Sequence, residues 1–315
     1  MQYDITFVCY PKGCSWVSHS GGSGAFQHVL IFPSAKLAFC GIPKVGITQW
    51  EQFLRFYMGA KDYPSLPHYK LDRDFFQFDK LDPKVQRRIW EADDWTWAAF
   101  IRNPAERLLS SYLDKVKSKQ QMKWADNNMT LEDFIDQLSS PYNYTSCDVK
   151  GVKGVKGGST WCSDPHWRPQ VFSCGISERL DRFQFIGELH NAADQTRELL
   201  ENVGLWNTRG KYFINGGVSV GRNPWCNIKS HEFNASAHVG FQQPADAAQT
   251  AYGHSKGAKD KMDKHYTPEL LKKVQEELYA DDYKLWKLVS ANGKKLSKGK
   301  ELAVAVASKC RSSWW

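Results

Sequence analysis

Two short stretches hold the residue types that grip anions. Residues 42–48, IPKVGIT, bring Lys44, Gly46 and Thr48 together, and residues 100–111, FIRNPAERLLSS, place Ser110 eight positions after Arg102. In the first stretch Lys44 supplies a point charge, Gly46 lets the backbone approach a ligand closely, and Thr48 caps a helix or bonds a phosphate oxygen. If a helix starts there, its free N–H groups and dipole favour the same anion. The order PKxGxT is not the nucleotide-triphosphate loop GxxxxGK[ST], in which the lysine follows the second glycine. A capped turn with a solvent-facing lysine is therefore the competing reading. In the second stretch an arginine fork and a hydroxyl can converge on one phosphate; the plainer alternative pairs Arg102 with Glu106 and leaves Ser110 as a small packing residue. Two anion loops at neighbouring strand ends point to one ligand carrying two phosphate groups.

The elements around these loops follow from periodicity and caps. HVLIF and KLAFC (residues 28–40) are short apolar runs that suit buried strands, and QWEQFLRFYM repeats Trp50, Phe53, Leu54 and Tyr57 at helical spacing. The first unit is thus strand, glycine-containing loop, helix. Asp82-Pro83 signals a helix to about residue 92. WTWAAFI makes a second buried strand, and Asn103-Pro104-Ala105-Glu106 starts a helix to about residue 117. Further on, residues 130–138 read as a short helix, 183–187 as a strand and 191–203 as an amphipathic helix. Thr267-Pro268-Glu269 opens a final long helix. Residues 207–260 are expected to be largely irregular, and GVKGVKGG (151–158) a surface loop. Strands alternating with helices predict an α/β fold around a mainly parallel sheet, with ligands at the C-terminal strand ends.

Composition narrows the setting. The chain has 315 residues, 42% hydrophobic and 24% charged, with runs too short to span a bilayer. The first residues, MQYDITFVCYPKG, lack the basic and apolar regions of a signal peptide. The net charge of +8 suggests an anionic partner, but residues 291–315 carry +5 of it, leaving +3 for the rest. Eight cysteines show no CxxC pair and no zinc spacing. Cys162 and Cys174 flank DPHWRPQ, so a disulfide between them, or from either to Cys147, would staple that segment; Cys40, at a strand end, is expected to be a packed thiol. Three sequons, at Asn128, Asn143 and Asn234, favour a secretory compartment.

IPKVGITQW and FIRNPAERLLSSY resemble the 5′-phosphosulfate loop and the 3′-phosphate motif of sulfotransferases that use 3′-phosphoadenosine 5′-phosphosulfate (PAPS). The resemblance is to the Golgi carbohydrate sulfotransferases of the chondroitin and HNK-1 type, related to heparan 2-O-sulfotransferase. It extends through HVLIFPSAKLAFCGIPKVG, DPHWRPQ, RFQFIGELHNA and GHSKGAKDKMDKHYTPEL in the family's order, over roughly residues 28–289. Ile47 stands where Cys, Ser or Thr is more usual, and Asn103 where Asp or Glu is common.

The resemblance implies a P-loop-like parallel sheet flanked by helices in one domain at 28–289. An N-terminal arm (1–27) precedes it, and a basic, disordered tail (290–315) follows. It implies in-line transfer of a sulfuryl group from PAPS to a hydroxyl of a glycan or proteoglycan, a charge-stabilised reaction like phosphoryl transfer. Pro43, Lys44, Val45, Gly46, Ile47 and Thr48 would hold the 5′ end, Arg102 and Ser110 the 3′-phosphate, and Ser255, Lys256 and Gly257 would close over the nucleotide. Lys44 would also be catalytic, neutralising charge on the leaving group. His68 and His166 are the rival general bases, with Glu51, Asp72 and Asp74 behind them. No metal and no nucleic acid is expected. The implied location is the Golgi lumen as a type II membrane protein. No such anchor is expected in these residues, so a chain lacking its anchor or a secreted form remains. A P-loop kinase or NTPase, a cytosolic small-molecule sulfotransferase and a non-enzymatic glycan-binding module on the same fold are the alternatives.

Overall fold

The computed structural model describes residues 5–10, 13–18, 26, 28–58, 77–117, 129–139, 164–214, 258 and 261–292. Near the N-terminus, Ile5–Tyr10 (β1) and Gly13–Ser18 (β2) pair as an antiparallel hairpin, within the stretch expected to be an arm. The glycine-rich loop 151–158, the tail beyond residue 292, the sequon asparagines, Cys147 and Cys162 lie outside the described residues.

The main sheet has four strands: Val29–Phe32 (β3), Leu37–Cys40 (β4), Thr96–Ile101 (β5) and Phe183–Glu188 (β6), side by side in that order. β3 turns back antiparallel onto β4 through a single 3-10 turn, Pro33–Ala35, while β4, β5 and β6 run parallel. Parallel neighbours need crossovers, and helices supply them. Ile47–Met58 (α1) and Pro83–Glu91 (α2) lie between β4 and β5; Pro104–Ser111 (α3) and Leu131–Ser139 (α4) lie between β5 and β6. Every residue of β3 and β4, and Trp97 to Ile101 of β5, is buried, as expected for strands covered on both faces.

Local chemistry sets the helix starts where the sequence places them. The Asp82 side chain accepts from Lys84 N, Asn103 from Ala105 N and Glu106 N, and Thr267 from Leu270 N, each with proline at the first helical position. After β6 come Ala192–Asn202 (α5) and Lys211–Ile214 (α6); Met262–His265 (α7), Pro268–Lys273 (α8) and Ala280–Asn292 (α9) follow. The final helix is therefore two helices joined by a π turn, Val274–Leu278. Residues 207–214 are helical rather than irregular, because Trp206–Gly210 forms another π turn that runs into α6. The rest of that stretch to residue 257 lies outside the described residues.

Two apolar clusters hold the layers. One wraps the sheet, where Phe39 stacks on Trp50 of α1 at 3.7 Å between ring centroids, a pair worth about 1 kcal/mol beyond its buried area. The other gathers Leu108, Leu109, Phe134, Trp167, Val274 and Tyr279 beneath α3. Gly187 permits the close approach of β6 to β5: a Cβ there would lie 2.5 Å from the Phe100 ring.

The cysteine expectations are corrected. Cys40 is not a free thiol; it forms a disulfide with Cys174, across 134 residues of sequence. The staple to the segment after DPHWRPQ is real, but its other end is the end of β4. Burial of both residues in the same cluster brings them together.

Candidate active site

β4, β5 and β6 end on one edge of the sheet, and each passes through a short loop into a helix. Ligands bind at such an edge in open α/β sheets. The first loop, residues 41–46, is bent by two left-handed residues, Lys44 at φ 68° and Gly46 at φ 78°. Glycine tolerates this conformation; for lysine it costs about 1–3 kcal/mol and persists only where surrounding bonds hold it. Those bonds are present. Arg107 Nε donates to Pro43 O at 3.0 Å, Arg102 Nη1 donates to Lys44 O at 3.3 Å, and Val45 N donates to Ile42 O at 3.1 Å.

Among the described residues no acceptor takes the N–H groups of Gly46, Ile47 or Thr48 at the start of α1. The Lys44 ammonium donates to Asp114 Oδ2 at 2.9 Å, and Lys115 lies 3.5 Å from the same oxygen. Burial holds Lys44 below the usual lysine range; Asp114 opposes that shift, and Lys115 and Arg102 add to it. Asp114 faces inward because α3 continues as a π turn, Tyr112–Val116, which redirects side chains by a fraction of a turn.

The second loop is held differently. Arg102 sits just after β5, where its backbone N–H and carbonyl both bond the Gln170 amide side chain, at 2.9 Å each. Asp282 of α9 accepts from Gln170 N and Val171 N, anchoring that support. Burial pushes the Asp282 carboxyl up, against the pull of these backbone bonds. The Arg102 side chain spans Lys44 O and Glu106, whose carboxylate is 3.5 Å away and also bonds His190 at 3.1 Å. The plainer pairing read from the sequence is therefore present, yet the same arginine reaches the first loop. Burial pushes the Glu106 carboxyl up, but the bond to His190 and the charge of Arg102 outweigh it and leave it below the usual range. Ser110 is buried on α3.

A third segment, residues 164–170, closes on α3. Arg107, fully buried, donates to Pro165 O at 2.7 Å and Arg168 O at 2.8 Å in addition to Pro43 O. Ser111 Oγ donates to His166 O at 2.5 Å, and Asp164 Oδ1 lies 2.7 Å from His166 Nδ1.

Of the residues singled out from sequence, the structure brings together Pro43 to Thr48, Arg102, Ser110 and His166 around α3. Glu51 is buried on α1. His68, Asp72, Asp74, Ser255, Lys256 and Gly257 lie outside the described residues. Sequence reasoning missed Arg107, Asp114, Asp164, Gln170 and Asp282. Arg107 and Asp114 carried one usable signal, charged residues at the inward positions of an otherwise apolar helix; Asp282 carried none. Among the described residues no cluster of His, Cys, Asp and Glu has the arrangement of a metal site.

A four-stranded, mainly parallel sheet whose strands β4 and β5 each run through a loop into a helix at the C-terminal edge matches a sulfotransferase domain. The family model described as Sulfotransferase family matches residues 27–288, and the chain belongs to that family. Among curated proteins it is similar to carbohydrate sulfotransferase 10 of Pongo abelii, 23% identical over 246 residues, which cover 69% of this chain and 64% of the relative. The human protein of the same name is 22% identical over 244 residues, with the same coverage. The chain thus spans just under two thirds of the length of these relatives. No solved structure gives a match.

Proposed function

We propose that the protein transfers a sulfuryl group from PAPS to a hydroxyl of a carbohydrate acceptor. The observation that carries this reading is the bond from Arg102 to the Lys44 carbonyl, which ties two anion loops into one site. The N–H groups of Gly46, Ile47 and Thr48, which no acceptor among the described residues takes, suit the 5′-phosphosulfate, with Pro43 and Val45 shaping the loop. Arg102 and the Ser110 hydroxyl suit the 3′-phosphate. Ser255, Lys256 and Gly257 complete the nucleotide side. The acceptor oxygen forms its bond to sulfur as the sulfur–oxygen bond to the phosphate breaks, and Lys44 neutralises the charge that collects on the departing phosphate. A base on the acceptor side, His68 or His166, receives the hydroxyl proton. No step requires a metal ion, because the charge of the leaving group is met by Lys44 and Arg102.

The acceptor hydroxyl belongs to a carbohydrate, as the relatives' name suggests, carried in this reading on a glycan or proteoglycan, and the setting is the Golgi lumen. The Cys40–Cys174 disulfide suits that oxidising compartment, as do the sequons. The test is release of adenosine 3′,5′-bisphosphate from PAPS with a panel of glycans. Release with at least one glycan, lost in Lys44→Ala, is expected. Nucleotide binding with no release on any glycan would instead make the chain a binding module.

A further inference from the structure

Residues 164–168 form a built arrangement around one imidazole. Asp164 Oδ1 accepts from the His166 backbone N–H at 2.8 Å and lies 2.7 Å from Nδ1 of the same residue, so one carboxylate oxygen fixes both the turn and the ring. An ionised carboxylate is only an acceptor. Nδ1 therefore carries the proton in the neutral ring, and the lone pair sits on Nε2. Among the described residues Nε2 has no hydrogen-bond partner, and the side chain is 27% exposed. The peptide unit is pinned as well: Ser111, the neighbour of Ser110 on α3, donates to the His166 carbonyl. Arg107 fastens Pro165 and Arg168 on one side and Pro43 on the other, which sets the distance between this ring and the Lys44 loop.

Accepting the sulfuryl-transfer reading above, we propose that His166 is its general base and that Asp164 is the residue that positions it. His166 Nε2 takes the proton from the acceptor hydroxyl as the acceptor oxygen bonds sulfur. The electron pair of the broken sulfur–oxygen bond leaves with adenosine 3′,5′-bisphosphate. Asp164 holds the ring in the tautomer that leaves Nε2 free and stabilises the imidazolium that forms, the division of labour seen in histidine–carboxylate pairs generally.

The charged groups facing the ring agree with a base. Burial lowers the His166 imidazole below its usual range, Asp164 opposes this, and Lys115 from the π turn and Lys44 from the loop add to the lowering. The Asp164 carboxylate in turn feels the guanidinium groups of Arg107 and Arg168. A ring held low is neutral, and so competent as a base, at neutral pH.

The experiment compares turnover and adenosine 3′,5′-bisphosphate binding in the wild type, His166→Ala, His166→Gln and Asp164→Asn, with and without added imidazole. The expected result is a loss of turnover of about 10²-fold or more in both His166 variants. Bisphosphate affinity stays unchanged, and imidazole partly rescues His166→Ala. Asp164→Asn lowers kcat without raising the donor KM and moves the acid limb of the pH profile to lower pH, because the group that holds the imidazole pKa up has gone. A folded His166→Gln with wild-type turnover overturns the proposal and leaves the sulfotransferase reading standing. A wild type that turns over no glycan overturns both. Should either His166 variant fail to fold, the Asp164→Asn profile decides: an unmoved acid limb overturns the assignment.

Discussion

The loops after β4 and β5 share a plan, strand to loop to helix, and solve it in opposite ways. The loop before α3 fills its helix start: the Asn103 side chain accepts from Ala105 N and Glu106 N, and Pro104 removes a third donor. The loop before α1 leaves its start open, with two left-handed residues and N–H groups that no acceptor among the described residues takes. A filled helix start has no N–H to give a ligand, so in the proposed function the second loop grips its anion with side chains, Arg102 and Ser110. An open one grips with its backbone, and Lys44 adds charge. On the proposed function, the first loop meets a group whose charge changes during reaction and the second a group that is merely held.

This contrast orders the predictions. Lys44→Ala should have the largest effect, about 10³-fold in kcat, because it removes charge stabilisation at the bond that breaks. A variant with near wild-type kcat would place the reacting group elsewhere. Asp114→Asn should act through Lys44. Without the carboxylate that holds the buried ammonium up, Lys44 loses its proton at lower pH. The alkaline limb of kcat/KM then moves acidwards; a limb that stays in place would separate Asp114 from the lysine. Asn103→Ala should show the smallest effect on ligand binding, costing about 1 kcal/mol of stability in thermal unfolding, as the loss of a helix cap does. A loss of donor affinity as large as that of an Arg102 variant would erase the distinction between the loops.

How far the sequence reveals this molecule depends on how local the cause is. The starts of α2, α3 and α8 are visible because cap, proline and first turn are contiguous in the chain. The alternation of strand, loop and helix is visible for the same reason. The Cys40–Cys174 bridge is not, since it depends on which strand end the 164–176 segment packs against. Arg107 serves three carbonyls from two distant segments, and Asp282 supports Arg102 through Gln170 from the last helix. Nothing near either residue in sequence announces these partners. The π turns escape because one extra residue in a helical repeat leaves the apolar pattern almost intact, yet one of them aims Asp114 at Lys44.

The central claim is that both loops grip one ligand carrying two phosphate groups. Calorimetric titration of adenosine 3′,5′-bisphosphate and of adenosine 5′-monophosphate, into wild type and Arg102→Ala, tests it directly. The wild type should prefer the bisphosphate by about 10- to 100-fold, the worth of charge-assisted hydrogen bonds to one phosphate. Arg102→Ala should bind the two nucleotides alike. If Arg102→Ala keeps the full preference for the bisphosphate, the second loop does not hold the 3′-phosphate and the two-loop account is wrong.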